Sequence, residues 1–306
     1  MGQKLMINPG TVELLDKTSL GVKDRVVAFA ELTKPRIAVM LVLTAAAGFY
    51  VASRPQFEFI LFFHSMTGIL FLAFGVAALN QAMEKRTDAL MDRTAKRPLP
   101  IGKVSLREAW IFGALLSAIA ILQLAVFVNV LTAAFGILVI IGYVFLYTPL
   151  KTRTSASTAI GAIPGAMPPL MGWTSVSGEV TLGAWALFAF LFLWQFPHFL
   201  AIATIYRDEY RKAGILMLPV VEKDGSITAR QIVMFSMLTV VTSLAPFFLG
   251  IAGWVYLAAA VLLGGWLMAA AIEAAIAKDI PKSRKLLLIT MAYLPLIMLA
   301  LVFDKQ

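Results

Sequence analysis

Nine apolar stretches, near 37–53, 57–80, 109–128, 130–147, 157–174, 181–204, 231–251, 253–276 and 286–303, follow one another, separated by polar breaks that are short except at 81–108 and 205–230. Each falls within the roughly 17–25 residues that carry an α-helix across a bilayer. In lipid every backbone N–H and C=O must find a partner inside the segment, so repeated stretches of this kind specify helices. The balance of residues agrees: 60% of the 306 are hydrophobic and 14% are charged, against about 45–50% apolar and about 25% charged in soluble domains. A soluble globular enzyme is excluded on that balance. The absence of cysteine excludes a disulfide scaffold and a thiolate metal site. The expected fold class is an all-α membrane protein of about nine transmembrane helices. It divides into an N-terminal segment, 1–36, and a single transmembrane domain, 37–303.

The formal charge of +9 is distributed by side. With nine crossings the termini lie on opposite faces, and 24 of the 26 Lys and Arg fall on the face that holds the N-terminus, leaving Arg54 and Lys305 on the other. By the positive-inside rule that face is cytoplasmic. The basic excess therefore reads as topology, not as nucleic-acid binding. The expected location is a bacterial or archaeal cytoplasmic membrane, multi-pass, with the N-terminus inside. Met1 to Lys34 contains Glu13, Asp16, Asp24 and Glu31 and lacks an apolar run of signal length, so no cleavable signal is expected. Val22 to Leu32 has apolar residues at helical spacing, as in a helix lying on the interface, and Lys34-Pro35-Arg36 marks its end.

Two long loops on the cytoplasmic face, 81–108 and 205–230, carry most of the unusual chemistry, each following the second helix of a four-helix unit. In the first, Asn80, Glu84, Asp88 and Asp92 stand four apart. On a continuous helix each lies about 40° from the last, giving one oxygen-rich stripe. Such a stripe suits a hard cation, and Mg²⁺ uses a few carboxylates together with water and phosphate oxygens. Arg93, Lys96 and Arg97 follow, as a substrate phosphate would require. The plainer alternative is a solvated helix end held by local ion pairs. In the second loop Asp208 and Glu209 are interleaved with Arg207, Arg211 and Lys212. Two acidic clusters at one mouth suit two cations bridging a diphosphate.

At these residues the sequence resembles the UbiA-like intramembrane prenyltransferase superfamily. The matching blocks are Leu32-Thr33-Lys34-Pro35-Arg36, Asn80 with Asp88 to Thr94 and Arg97-Pro98-Leu99, Tyr147 to Lys151 with Arg153-Thr154, Gly161-Ala162 with Gly165 to Trp173, Trp194 to Phe199, and Tyr210 with Ala213-Gly214 through Val220. The last three look like the branch that farnesylates haem more than the branch that makes quinones. The resemblance implies nine helices around a lipid-facing central cavity, capped by the two cytoplasmic loops. It implies Mg²⁺ held by two aspartate-rich motifs that bind a prenyl diphosphate, here farnesyl diphosphate. Carried over, the first motif falls on Asn80, Glu84 and Asp88 and the second on Asp208 and Glu209, with Glu84 and Glu209 standing where the superfamily generally has Asp.

The implied reaction joins the farnesyl group to a vinyl group of protohaem IX, giving haem o for terminal oxidases, with haem A synthase or oxidase assembly proteins as partners. Arg93, Arg97, Lys151 and Arg153 would stabilise the departing diphosphate, and the bilayer-embedded bundle would shield the allylic cation from water. His64, near the external end of the second span, reads as structural. For His198, beside Pro197 in the sixth span, two readings stand. It satisfies the carbonyl that the proline frees, or, as the resemblance implies, it ligates haem iron. Trp194, Phe196, Phe199, Met217, Gly161 and Gly165 read as packing residues. The rival functions are an aromatic-acceptor prenyltransferase of the same fold and a membrane transporter.

Overall fold

The computed structural model describes residues 21–53 and 56–306; residues 1–20 of the expected N-terminal segment, with Glu13 and Asp16, and Arg54 lie outside the described residues. Helix α1 (Val22–Leu32) buries Ala28 and Leu32 against Ala78, Ala82 and Leu99 and leaves Val22 and Val26 exposed. Helix α2 (Pro35–Ala52) opens on Pro35, where the missing N–H has no intrahelical partner to lose. Helix α3 (Phe59–Asp88) is 30 residues long. A reciprocal pair of hydrogen bonds between Ser105 and Glu108 caps α4 (Leu106–Phe127).

Helix α5 (Val130–Ile140), capped by Asn129, widens into a π-helical turn over Ile141–Tyr147 and closes in α6 (Thr148–Leu150). Two shorter helices, α7 (Ser157–Gly165) and α8 (Met167–Ser177), precede α9 (Leu182–Ile205). The second long loop carries α10 (Arg207–Lys212) and α11 (Leu218–Val221). The remaining spans are α12 (Ser226–Ser243) with its extension α13 (Ala245–Phe248), then α14 (Trp254–Ala277) and α15 (Ile280–Phe303).

Eight of the nine expected crossings are apolar helical segments long enough to span a bilayer. The fifth, expected at 157–174, differs: it is made in two pieces that meet at Ala166. Pro168 and Pro169, side by side, lack the N–H groups that would bond back into α7, and α8 begins afresh with proline in its first turn. The two pieces still run the length of α5 and its extension. Gly161 faces Tyr147 at one end, and at the other Asn129 Nδ2 donates to the Thr174 carbonyl at 2.8 Å.

The outer face is the reverse of a water-soluble surface, with Phe303 84%, Ile276 78% and Ile60 75% exposed. A bilayer removes that cost. Inside, backbones approach closely at small residues. A Cβ on Gly172 would strike the Ala45 carbonyl, and one on Gly48 would strike that of Pro169, so α2 and α8 touch main chain to main chain. Between α2 and α15 lies an apolar cavity of about 370 Å³, whose lining includes Met40, Leu43, Ala47, Leu294 and Met298. At the end away from the two long loops, Lys305 Nζ donates to the Tyr50 carbonyl at 2.7 Å.

Candidate active site

Helix α3 continues past its apolar stretch, and its last three turns present Asn80, Glu84 and Asp88 on one face. Each of the three has a cationic partner from elsewhere in the chain. Lys34 Nζ donates to Asn80 Oδ1 at 2.8 Å, Lys151 Nζ to Glu84 Oε1 at 2.6 Å, and Arg97 Nη1 to Asp88 Oδ2 at 2.7 Å. Asn80 and Asp88 are buried, and Glu84 nearly so. The helix ends at Asp88, so Asp92 leaves the stripe and lies exposed in the turns that follow.

The partners are delivered by local breaks in the helices. Lys34 sits in the left-handed region, with φ +49°, immediately before Pro35. A residue there costs roughly 1–3 kcal/mol, a strain that surrounding structure must hold. The turn it makes brings the ammonium to α3. Burial pushes the Lys34 ammonium down to about 8, and nearby Arg97 acts in the same direction. On the other side the π-helical turn leads into Thr148-Pro149, where proline cannot donate to the ladder. Asn80 Nδ2 donates to Thr148 Oγ1 at 3.0 Å, whose hydroxyl donates in turn to the Tyr143 carbonyl at 2.8 Å. The Lys151 ammonium also lies 4.3 Å from the centre of the Tyr147 ring.

Three cations, Lys34, Arg97 and Lys151, thus face two carboxylates, Glu84 and Asp88. The cluster carries a surplus positive charge when all five are ionised, the sign that a diphosphate needs. Its carboxylates and amide oxygen are the hard donors that Mg²⁺ takes.

The second loop meets the first through Met91, buried with Ala213, Ile215 and Met217, and through Arg93. The Arg93 N–H donates to Glu209 Oε2 at 3.2 Å, its Nη2 donates to the Tyr210 hydroxyl at 3.3 Å, and its guanidinium lies 4.9 Å from the Tyr206 ring centre. Glu209 therefore touches the first loop but not the stripe. Asp208, with its side chain 84% exposed, pairs with Arg211 on its own short helix and lines a separate polar pocket that also holds Lys278. Arg153 is exposed in the turn after α6. Among the described residues no three acidic or histidine side chains converge as a metal-holding group.

His198 lies within α9, and its Nδ1 is 2.9 Å from Thr290 Oγ1 on α15. It does not bond the carbonyl that Pro197 frees. The Trp194 ring stacks on it at 4.7 Å between centres. The other residues read as packing do pack: Phe196 stacks on Phe235 at 3.8 Å, Met217 is buried, Gly161 lies against the Tyr147 ring and Gly165 against Gln195. His64 stacks on Phe127 at 4.5 Å.

Sequence reasoning assigned no role to Lys34, Thr148 or Thr290. Lys34 carried a signal, a lysine directly before a proline that opens an apolar span. Thr148 carried a weaker one, its place before Pro149 in the Tyr147 to Lys151 block, and Thr290 carried none, being one hydroxyl among many in apolar helices.

Comparison with known proteins fits this arrangement. The pattern of the UbiA prenyltransferase family matches residues 41–297. A protein from Solibacter usitatus (strain Ellin6076) named protoheme IX farnesyltransferase is 41% identical over 286 residues, which is 90% of this chain and 98% of its own. Among solved structures, a digeranylgeranylglyceryl phosphate synthase superposes with a TM-score of 0.77 at 17% identity, over 92% of this chain and 98% of that one. A UbiA homologue from Archaeoglobus fulgidus, solved bound to GPP and Mg²⁺, superposes with a TM-score of 0.63 at 17% identity, over 90% of this chain and 99% of its own. In sequence pattern, in near full-length identity and in fold, the chain belongs to the UbiA prenyltransferase family.

Proposed function

We propose that this enzyme transfers the farnesyl group of farnesyl diphosphate to a vinyl group of protohaem IX, releasing diphosphate and giving haem o in haem A/O biosynthesis. The observation that carries the reading is the 41% identity, over 98% of its length, to a relative named for that activity. The cationic cluster, and an apolar cavity that runs along α2 from Met40 toward Tyr50, support it on chemical grounds. Met40, in the cavity wall, lies six residues along α2 from Lys34, a rise of about 9 Å. A chain anchored by its diphosphate at Lys34, Arg97 and Lys151 can extend among apolar side chains.

Breaking the C1–O bond sends the electron pair to the diphosphate and leaves an allylic cation. Lys34, Arg97 and Lys151 hold the leaving charge. The vinyl π electrons then form the new C–C bond, and water captures the resulting cation with loss of a proton, giving a hydroxyethylfarnesyl substituent. The apolar walls keep water from the allylic cation before that bond forms.

Mg²⁺ fits the hard donor set, with Asn80, Glu84 and Asp88 as its holders and Glu209 and Asp208 reaching it only by movement of the second loop. When bound it would add positive charge at the departing diphosphate. With the metal held by Asn80, Glu84 and Asp88, their present partners Lys34, Lys151 and Arg97 would be left to hold phosphate oxygens. Arg93 ties the two loops together over the mouth, and Arg153 is a further diphosphate contact from the exposed turn. His198 serves the haem.

The reading places the enzyme in a cytoplasmic membrane with the site and the N-terminus inside. That rests on the basic residues gathered at the site end. Residues 1–36 form a cytoplasmic segment with α1 on the interface, ahead of one transmembrane domain, 37–303, and haem A synthase or oxidase assembly proteins receive the product.

The test is acceptor competition. Membranes holding the protein are given radiolabelled farnesyl diphosphate, Mg²⁺ and equal protohaem and hydroxybenzoate or naphthoate. Label in the haem fraction is expected. Label in the aromatic acid would assign the chain to aromatic prenylation.

A further inference from the structure

The hydroxyl of Thr290 bears on which nitrogen of His198 carries its proton. Thr290 Oγ1 lies 2.7 Å from the Leu287 carbonyl, and only the threonine can supply a hydrogen to that contact. The same oxygen lies 2.9 Å from His198 Nδ1. With that hydrogen directed to Leu287, the oxygen stands as an acceptor for an Nδ1–H of His198. The Thr290 backbone carbonyl is occupied by Trp194 Nε1, which donates to it at 3.1 Å. The hydroxyl is therefore the acceptor left to the imidazole on that residue. Trp194, stacked on the ring, fixes its plane.

The other nitrogen is free. His198 Nε2 has no hydrogen-bond partner among the described residues, and it is not sealed from open space as His64 Nδ1 is. Its direction follows from its neighbours on α9. Trp194 turns to α15, and Gln195 turns to α7, where its Nε2 donates to the Ala162 carbonyl at 2.9 Å. Four residues after Trp194, His198 is rotated about 40° from it toward the Gln195 side. It stands at the seam between α15 and α7. Leu294, one turn beyond Thr290 on the same face of α15, lines the apolar cavity.

We propose that Thr290 is a positioning residue that holds His198 in the Nδ1–H tautomer, so that the Nε2 lone pair is presented to haem iron. The inference rests on the reading of protohaem as substrate. Metal-bound histidines generally donate their other ring N–H to a fixed acceptor, and loss of that acceptor typically lowers metal affinity about 10–100-fold. Thr290 supplies that acceptor here, from a helix other than the one that carries the histidine.

Two measurements on the purified full-length protein separate this inference from the reading beneath it. The chain has two histidines, so in a His64→Gln background ¹⁵N NMR of the labelled, haem-free protein reports His198 alone. The protonated nitrogen is expected to be Nδ1, and in Thr290→Val the spectrum is expected to become a tautomer mixture, while Thr290→Ser keeps the Nδ1–H form. Protohaem titration followed at the Soret band should then show about tenfold weaker binding in Thr290→Val, wild-type binding in Thr290→Ser, and a changed spectrum in His198→Ala. An Nε2–H ring in the parent protein, or a Thr290→Val variant that matches the wild type in both measurements, overturns the role of Thr290. If His198→Ala leaves the haem spectrum unchanged, iron ligation by His198 fails, even where the NMR result holds.

Discussion

The Lys151 ammonium lies 2.6 Å from the Glu84 carboxylate across 67 residues of sequence, with the two side chains only 15% and 11% exposed. Removing one partner of a buried pair leaves an uncompensated charge, at a cost of about 3–5 kcal/mol. Lys151→Met is expected to lose that order of stability and to reduce turnover by at least 100-fold. The double variant Lys151→Met/Glu84→Gln should recover most of the stability without recovering activity. Thermal unfolding in detergent beside a farnesyl-transfer assay checks both. Recovery of activity in the double variant would remove Lys151 from the reaction.

Asp88 is expected to tolerate neutralisation structurally but not catalytically. Its partner Arg97 is 26% exposed and can turn to solvent. Asp88→Asn should therefore fold with nearly normal stability and lose turnover by about three orders of magnitude. Asp92→Asn, beyond the helix end, should stay within about threefold of the wild type. Glu84→Asp shortens the acid by one methylene and opens its contact with Lys151, so reduced activity is expected there too. Assays over a range of Mg²⁺ concentrations distinguish loss of affinity from loss of turnover.

Lys34 should act on the diphosphate. Lys34→Met removes one of three cations and is expected to raise KM for farnesyl diphosphate about tenfold with a smaller change in kcat. Lys34→Gly relieves the left-handed backbone and should be more stable than Lys34→Met while sharing its KM defect. A Lys34→Met enzyme with unchanged KM would show that the ammonium serves Asn80 alone.

Glu222 gives a pH signature outside the membrane spans. Burial pushes its carboxyl up, but hydrogen bonds from the Thr228 hydroxyl at 2.6 Å, the Thr228 N–H at 2.9 Å and the Ile227 N–H outweigh it and leave the group below the ordinary carboxylate range. A carboxyl depressed in the folded state stabilises it above the unfolded value of about 4.3, and that contribution is lost as pH falls through the folded pKa. Glu222→Gln should be less stable than the wild type by about 1–2 kcal/mol at pH 7. The gap should narrow as pH falls below about 4. Unfolding of both proteins across that range measures it, and a gap independent of pH would contradict the charge-based explanation.

The spans were legible because apolar runs of bilayer length have few other uses. The break at Ala166 was not legible in the sequence, where 157–174 reads as one span, and what it does, setting α8 against α2 backbone to backbone, depends on glycines meeting a helix far away in sequence. The stripe of Asn80, Glu84 and Asp88 followed from fourfold spacing. Where the helix stopped did not, and Asp92 fell off its end. Which cation meets which oxygen was hidden, since Lys34 reaches Asn80 across 46 residues and Lys151 arrives through a π-helical turn. The orientation of Asp208 was hidden for a related reason: a short helix in a loop carries no apolar period to fix which side faces the site.

Mass spectrometry of haem extracted from membranes that contain the protein, supplied with protohaem, farnesyl diphosphate and Mg²⁺, tests the proposed reaction most directly. The expected result is a haem heavier by one farnesyl group and one hydroxyl, formed by the wild type and absent with Asp88→Asn. Unmodified haem from active, folded protein, with the farnesyl group recovered on another acceptor or still on its diphosphate, would contradict it.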